Sequence, residues 1–75
     1  MSQLPVVAAA RVLRALERAG FYVHHTKGSH YALRHPIKTH LRVTIPLHGG
    51  DLKRGTLRSI LDQADLSVDE FMKHL

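Results

Sequence analysis

The chain has 75 residues, carries 11 Lys and Arg against 6 Asp and Glu for a net charge of +5, and contains no cysteine. That length allows one domain, residues 1–75, with a single small core. The absence of thiols excludes a disulfide framework, a thiolate metal site and a cysteine nucleophile, while the cationic excess favours nucleic acid, an anionic membrane or an acidic protein as partner, with a merely solvated basic surface as the plain alternative.

The opening Met1-Ser2-Gln3-Leu4-Pro5 lacks the charged and apolar regions of a signal peptide. The apolar run Val6 to Ala10 is too short to span a bilayer. A cytoplasmic protein without membrane association is therefore expected.

Pro5 sits just ahead of the first periodic segment and suits a helix start. Ala9, Val12, Leu13 and Leu16 follow the spacing of a buried helical stripe, and Arg11, Arg14 and Arg18 share another face. That arginine face has three readings: contact with an RNA backbone, docking of an acidic partner, or simple solvation. Gly20 supplies the stop.

Phe21 to Thr26 alternates as a strand, with Phe21 and Val23 on one face and Tyr22, His24 and Thr26 on the other. Lys27-Gly28 reads as a hairpin connection. In Ser29 to His35, Tyr31 and Leu33 share one face, and His30, Ala32 and Arg34 the other. Pro36 to His40 makes a second turn, since Pro36 cannot donate to a ladder. In Leu41 to Ile45, Leu41, Val43 and Ile45 point inward and Arg42 and Thr44 outward. The loop His48 to Arg54 carries two glycines and two cations. A helix begins near Gly55-Thr56 with Leu57, Ile60, Leu61 and Ala64 as its buried stripe. Ser67 and Glu70 form a capping box for a last short helix, Leu66 and Phe71 its hydrophobic staple, and Val68, Phe71, Met72 and Leu75 continue the apolar spacing. The expected class is α+β: helix, three-stranded antiparallel sheet, helix, and a short extra C-terminal helix. One sheet face is covered by helices and the other left polar.

Seven histidines stand in this chain. His25, His30, His35 and His40 recur every fifth residue, which in strands alternates faces and sets His25 and His35 opposite His30 and His40. No H-E-x-x-H, cysteine pair or carboxylate set accompanies them, so neither a metal nor another cofactor is expected. His74, at the end of the last helix, complements the helix dipole.

His30 differs by its neighbours. It follows Lys27-Gly28-Ser29, where a cation and close-approaching amides can hold phosphate oxygens. On the open face it stands with Arg34 and, across the ladder, Arg42. A neutral imidazole there can accept the proton of an RNA 2′-hydroxyl, whose oxygen then attacks the adjacent phosphorus. The plain alternative is a surface histidine that only hydrogen-bonds a phosphate. His48 has two readings as well, a partner acid for the leaving oxygen or a loop residue with a structural bond. Lys53, Arg54 and Arg58 surround a helix N-terminus, where amides attract anions. The Gly49-Gly50 loop lacks the GK[ST] ending of a nucleotide-binding loop. Ser29 has no triad partners and reads as a hydrogen-bond donor.

Ala19-Gly20-Phe21, Lys27-Gly28-Ser29-His30, Val43-Thr44-Ile45-Pro46-Leu47-His48 and Lys53 to Leu61, in this order, resemble the HicA (YcfA-like) mRNA interferase family of toxin–antitoxin pairs. The resemblance spans nearly the whole chain. It implies a fold like the double-stranded RNA-binding domain, ribosome-independent cleavage of RNA, a catalytic role for His30, and a HicB-type antitoxin that covers the site. The His24-His25 pair is the chief departure from the family's strand pattern. Two other classes compete: a non-catalytic RNA-binding module and an interaction domain for an acidic partner.

Overall fold

The computed structural model describes residues 3–75. Its elements run α1 (Ala9–Arg18), β1 (Tyr22–Lys27), β2 (His30–Arg34), β3 (Arg42–Pro46), α2 (Arg54–Ala64) and α3 (Val68–Lys73). The three strands form one antiparallel sheet in the order β1-β2-β3. This is the helix–three strands–helix arrangement of the double-stranded RNA-binding domain, with α3 appended.

Helix α1 starts four residues after Pro5, so that proline marks an extended lead-in and not the first helical turn. The lead-in is tied down by backbone. Val7 C=O accepts from Leu52 N–H at 2.9 Å, and Ala8 bridges Asp51. The buried face of α1 is Ala9, Val12, Ala15 and Leu16; Leu13 is only half-buried, because Ala15 points into the centre in its place. The helix closes in a Schellman motif, with Phe21 N–H donating to Leu16 C=O and Gly20 N–H to Glu17 C=O, each at 3.0 Å. Gly20 takes φ +105° there. Arg18 leaves the arginine face, since its Nη1 donates to the His74 carbonyl at 2.8 Å. His74 thus serves through its backbone at the α3 terminus.

The sheet buries Leu33, Val43 and Ile45 against the helices, and Phe21 and Leu41 join the same core. Helix α2 contributes Leu57, Ile60, Leu61 and Ala64, the stripe that its sequence predicts. Leucine and isoleucine side chains so placed stabilise the fold by ~1.5–3 kcal/mol each. Helix α2 ends with Asp65 in the left-handed region (φ 55°), where Leu66 N–H reaches Leu61 C=O at 3.0 Å. Ser67 and Glu70 make the reciprocal capping box, at 3.0 and 3.1 Å. Phe71 is fully buried and Leu66 packs beside it on the core, whereas Met72 is 45% exposed and lies off the buried stripe.

Strand β1 departs from simple alternation. A bulge between Val23 and His25 leaves His24 without a partner, so His25 stands opposite Ala32, Thr26 opposite Tyr31, and Lys27 opposite His30. His25 therefore joins the open face and Thr26 the helix side. His35 lies just past β2 and accepts the Ile37 and Lys38 N–H groups on Nδ1, at 3.2 and 3.0 Å, while its ring packs edge-on against Phe21. It is the clamp of the turn before β3.

Two outcomes follow. A Cβ at Gly20 would lie 2.8 Å from His35 Nε2 in a backbone region that L residues rarely adopt. Gly20→Ala should therefore cost ~1–2 kcal/mol from the backbone alone, read as a lower urea midpoint, and an unchanged midpoint would contradict this packing. The second concerns acid. The Ser67 N–H donating to the Glu70 carboxylate, then the Ser67 hydroxyl, hold Glu70 below its usual 4.5, with weak opposition from burial and help from Lys38 and Lys73. A carboxyl lowered on folding stabilises above its unfolded value, and that contribution is lost as pH falls through the lowered one. Thermal melts taken across roughly pH 3–5 should show a shallower acid slope for Glu70→Gln than for the wild type.

Candidate active site

The turn joining β1 and β2 has two residues, Gly28 and Ser29. Gly28 takes φ +59° as the first of them, the position glycine fills in a II′ hairpin. The turn delivers Lys27 and His30 as a facing pair. On its other side His30 faces Pro46, the last residue of β3. Residues directly opposite in a ladder share a face. Lys27, His30 and Pro46 thus form one row across the open face, with His25, Ala32 and Thr44 in the next and Tyr22, Arg34 and Arg42 in the last. His30 and Lys27 are exposed to solvent.

Backbone pairing continues beyond β3. Leu47 N–H donates to Ser29 C=O at 2.6 Å, which fixes the 46–53 loop against the Gly28-Ser29 turn. His48 and Lys53 consequently come to the His30 end of the sheet. His48 lines two open depressions of about 340 and 310 Å³, one shared with Ala8, Ala9 and Gly50, the other with Pro46, Asp51, Lys53 and Thr56. Lys53 is the N-cap of α2 and Arg54 its first residue; the helix has no side-chain cap and no acidic residue in its first turn. The dipole and amides of that terminus are left to attract anions.

The residues singled out from sequence therefore divide. Lys27, Gly28, Ser29, His30, His48 and Lys53 gather at one end of the sheet, with Arg54 following on α2. Arg34 and Arg42 face each other at the opposite end of the same face. They are separated from the His30 row by about 13 Å at ~3.3 Å per residue. Like charges directly opposite weaken a ladder. An anion lying along the face would offset that repulsion.

Sequence reasoning placed His25 on the wrong side. The bulge brings it diagonal to His30, and its Nδ1 is 2.8 Å from His24 Nδ1 with the two rings edge to face. Alternation alone carries no sign of this; the consecutive histidines are the only local hint. Among the described residues, no group of three or more His, Asp or Glu side chains is arranged to hold a metal ion. Among the described residues, no helix is long and apolar enough to cross a membrane.

A family model described as the HicA toxin of bacterial toxin-antitoxin matches residues 9–66. The chain belongs to the HicA toxin family. The match covers every strand, α1, α2 and the whole His30 end of the sheet, and leaves α3 outside. No curated protein matches the chain significantly. As a HicA toxin the chain has an antitoxin as its family partner.

An exposed histidine outside the core contributes little to stability. His30→Ala should shift unfolding free energy by no more than about 0.5 kcal/mol, against ~2–5 kcal/mol for Leu33→Ala in the core. Denaturant titration of both variants checks this; a His30→Ala loss matching that of Leu33→Ala would make the ring structural.

Proposed function

We propose that this HicA toxin is a ribosome-independent endoribonuclease, an mRNA interferase, whose reacting group is His30. The observation that supports this reading best is the exposure of His30 on an open, cationic sheet face, between Lys27 and the 46–53 loop. A neutral His30 imidazole takes the 2′-hydroxyl proton, the 2′-oxygen attacks phosphorus, and the products are a 2′,3′-cyclic phosphate and a 5′-hydroxyl. Proton transfer of this kind contributes ~10²–10⁴-fold. Lys27, Lys53 and Arg54, with the amides of Gly28 and Ser29, hold the phosphate and stabilise the charge that grows on it. Arg34 and Arg42 bind RNA further along the face, and they favour backbone contacts over base stacking because they are cations on a strand pair. The chemistry needs no metal and no small-molecule cofactor.

The same face suits a HicB-type antitoxin, which would silence the toxin by covering His30 and neutralising the surrounding cations. The proposed setting is the cytoplasm, where mRNA is found.

Single-stranded RNA incubated with the protein in EDTA should be cut by the wild type and left intact by His30→Ala, a loss of at least ~10²-fold. Replacing the ribose at the cut position by 2′-deoxyribose should stop the reaction. Intact RNA after long incubation with wild type, together with salt-sensitive binding, would mark a non-catalytic RNA-binding module. Equal cutting by His30→Ala would remove His30 from the mechanism.

A further inference from the structure

We propose that His48 is the general acid of this reaction, a role that rests on His30 acting as the base. Any such cleavage must satisfy one geometric condition. The attacking 2′-oxygen and the departing 5′-oxygen stand roughly in line on opposite sides of phosphorus. The imidazole that has taken the 2′ proton faces the wrong oxygen to return it. A second donor must stand across the phosphate, or the 5′-oxygen leaves as a strongly basic alkoxide.

The ladder shows which residue is placed for this. His30 faces Pro46, and the Leu47 N–H bond to Ser29 C=O carries the pairing one residue further. His48 is two positions beyond Pro46, outside β3 but directly after that bond, and strand alternation carried one step into the loop would set it on the His30 face. Diagonal neighbours of this kind lie about 7–8 Å apart at Cα. Two imidazoles at that separation can reach in from either side of one phosphorus. His48 and Pro46 line the same depression, next to Lys53 and the start of α2. His30 reaches this depression only through its ladder partner Pro46; a phosphate spanning from the depression to the His30–Pro46 row would have His48 on one flank and His30 on the other.

The other donors near His30 fit less well. Arg34 and Arg42 are a sheet length away and do not give up protons in proteins. Lys27 and Lys53 are ammonium groups, by class weaker acids than an imidazolium, and are suited to holding the phosphate oxygens. His25 also lies diagonal to His30, but its Nδ1 is engaged by His24, and it stands over β1, on the side of His30 away from Pro46 and the 46–53 loop.

The step balances. His30 gains the 2′ proton, the bond from O2′ to phosphorus forms, the bond from phosphorus to O5′ breaks, and His48 gives its proton to O5′. Solvent then restores both rings to their starting states.

The test uses a substrate whose leaving group needs no acid. Native RNA first locates a cut site. The bridging 5′-oxygen at that site is then replaced by sulfur, which departs readily as a thiolate. His48→Ala and His48→Gln should cut native RNA ~10²–10⁴-fold more slowly than wild type. On the sulfur substrate both should recover to within about tenfold of wild type, while His30→Ala stays slow on both substrates. Wild-type-like thermal melting of His48→Gln would show that the loss is not one of folding. Equal slowing of the His48 variants on both substrates would overturn the acid role and leave His48 a phosphate contact. Recovery in His25→Ala and not in the His48 variants would move the role across the sheet and overturn it too. Cutting by wild type with no loss in His30→Ala is a separate result: it sinks the base on which this inference rests, whatever His48 does.

Discussion

The pairing register of β2 with β3 is the constraint on which the rest of this molecule depends. Leu33 opposite Val43 and Tyr31 opposite Ile45 turn toward the helices; His30 opposite Pro46 and Arg34 opposite Arg42 turn away. A slip of one residue would exchange those sets, putting His30 in the core and Leu33 in water. Burying Leu33, Val43 and Ile45 is worth roughly 5–9 kcal/mol at ~1.5–3 each, a sum comparable with the whole stability of a small domain. The exposed position of His30 is thus a consequence of apolar burial on the reverse of the same strand. Nothing further is needed to present it.

The two edges of the sheet are treated differently. On β3, Thr44 N–H is taken by Gln63 Oε1 at 2.9 Å, and Gln63 is itself held by Ser59 Oγ at 3.1 Å. Helix α2 thereby closes that edge against further pairing. On β1 the bulge at His24 and the terminal Lys27 blunt the edge. Between β3 and α2, the 46–53 loop is fastened at both ends, by Leu47 to Ser29 and by Leu52 to Val7. Only His48 to Asp51 lies between those ties, and Asp51 is itself bridged to Ala8. A loop so anchored keeps His48 and Lys53 beside the hairpin turn without help from side-chain bonds.

Much of this could be read from residues alone, because much of it is set by periodicity. The α2 stripe, the alternation of β2 and β3 and the Ser67–Glu70 box each repeat a local rule, and the structure follows it. The remainder is set by contacts that leave little trace in sequence. The β1 bulge breaks alternation at a position where His24 and His25 are both acceptable strand residues, so the face of His25 was misread. Ala15 is too small to register as a core residue until Leu16 and Val12 are seen around it. His35 fell inside a plausible strand, yet its ring takes two backbone amides and fills the space above Gly20. The ties from Leu47 and Leu52 are made by backbone, to which sequence is nearly blind. The Lys27 to His30 motif is legible in sequence because its chemistry lies in four consecutive residues; its partnership with His48 is one of two readings there, because how close the 46–53 loop comes depends on register.

The arrangement joins a core problem to a surface one. The apolar half of each strand fixes the sheet, and the polar half receives a row of cations ending in an imidazole. The measurement that tests this most directly is an NMR titration of the histidine side chains with an uncleavable 2′-deoxy oligonucleotide. The account predicts that the His30 and His48 ring resonances move together, and that those of His35 and His74, one clamped beneath the turn and the other at the far helix end, stay in place. Saturable binding of the oligonucleotide with the His30 and His48 resonances unmoved would contradict it.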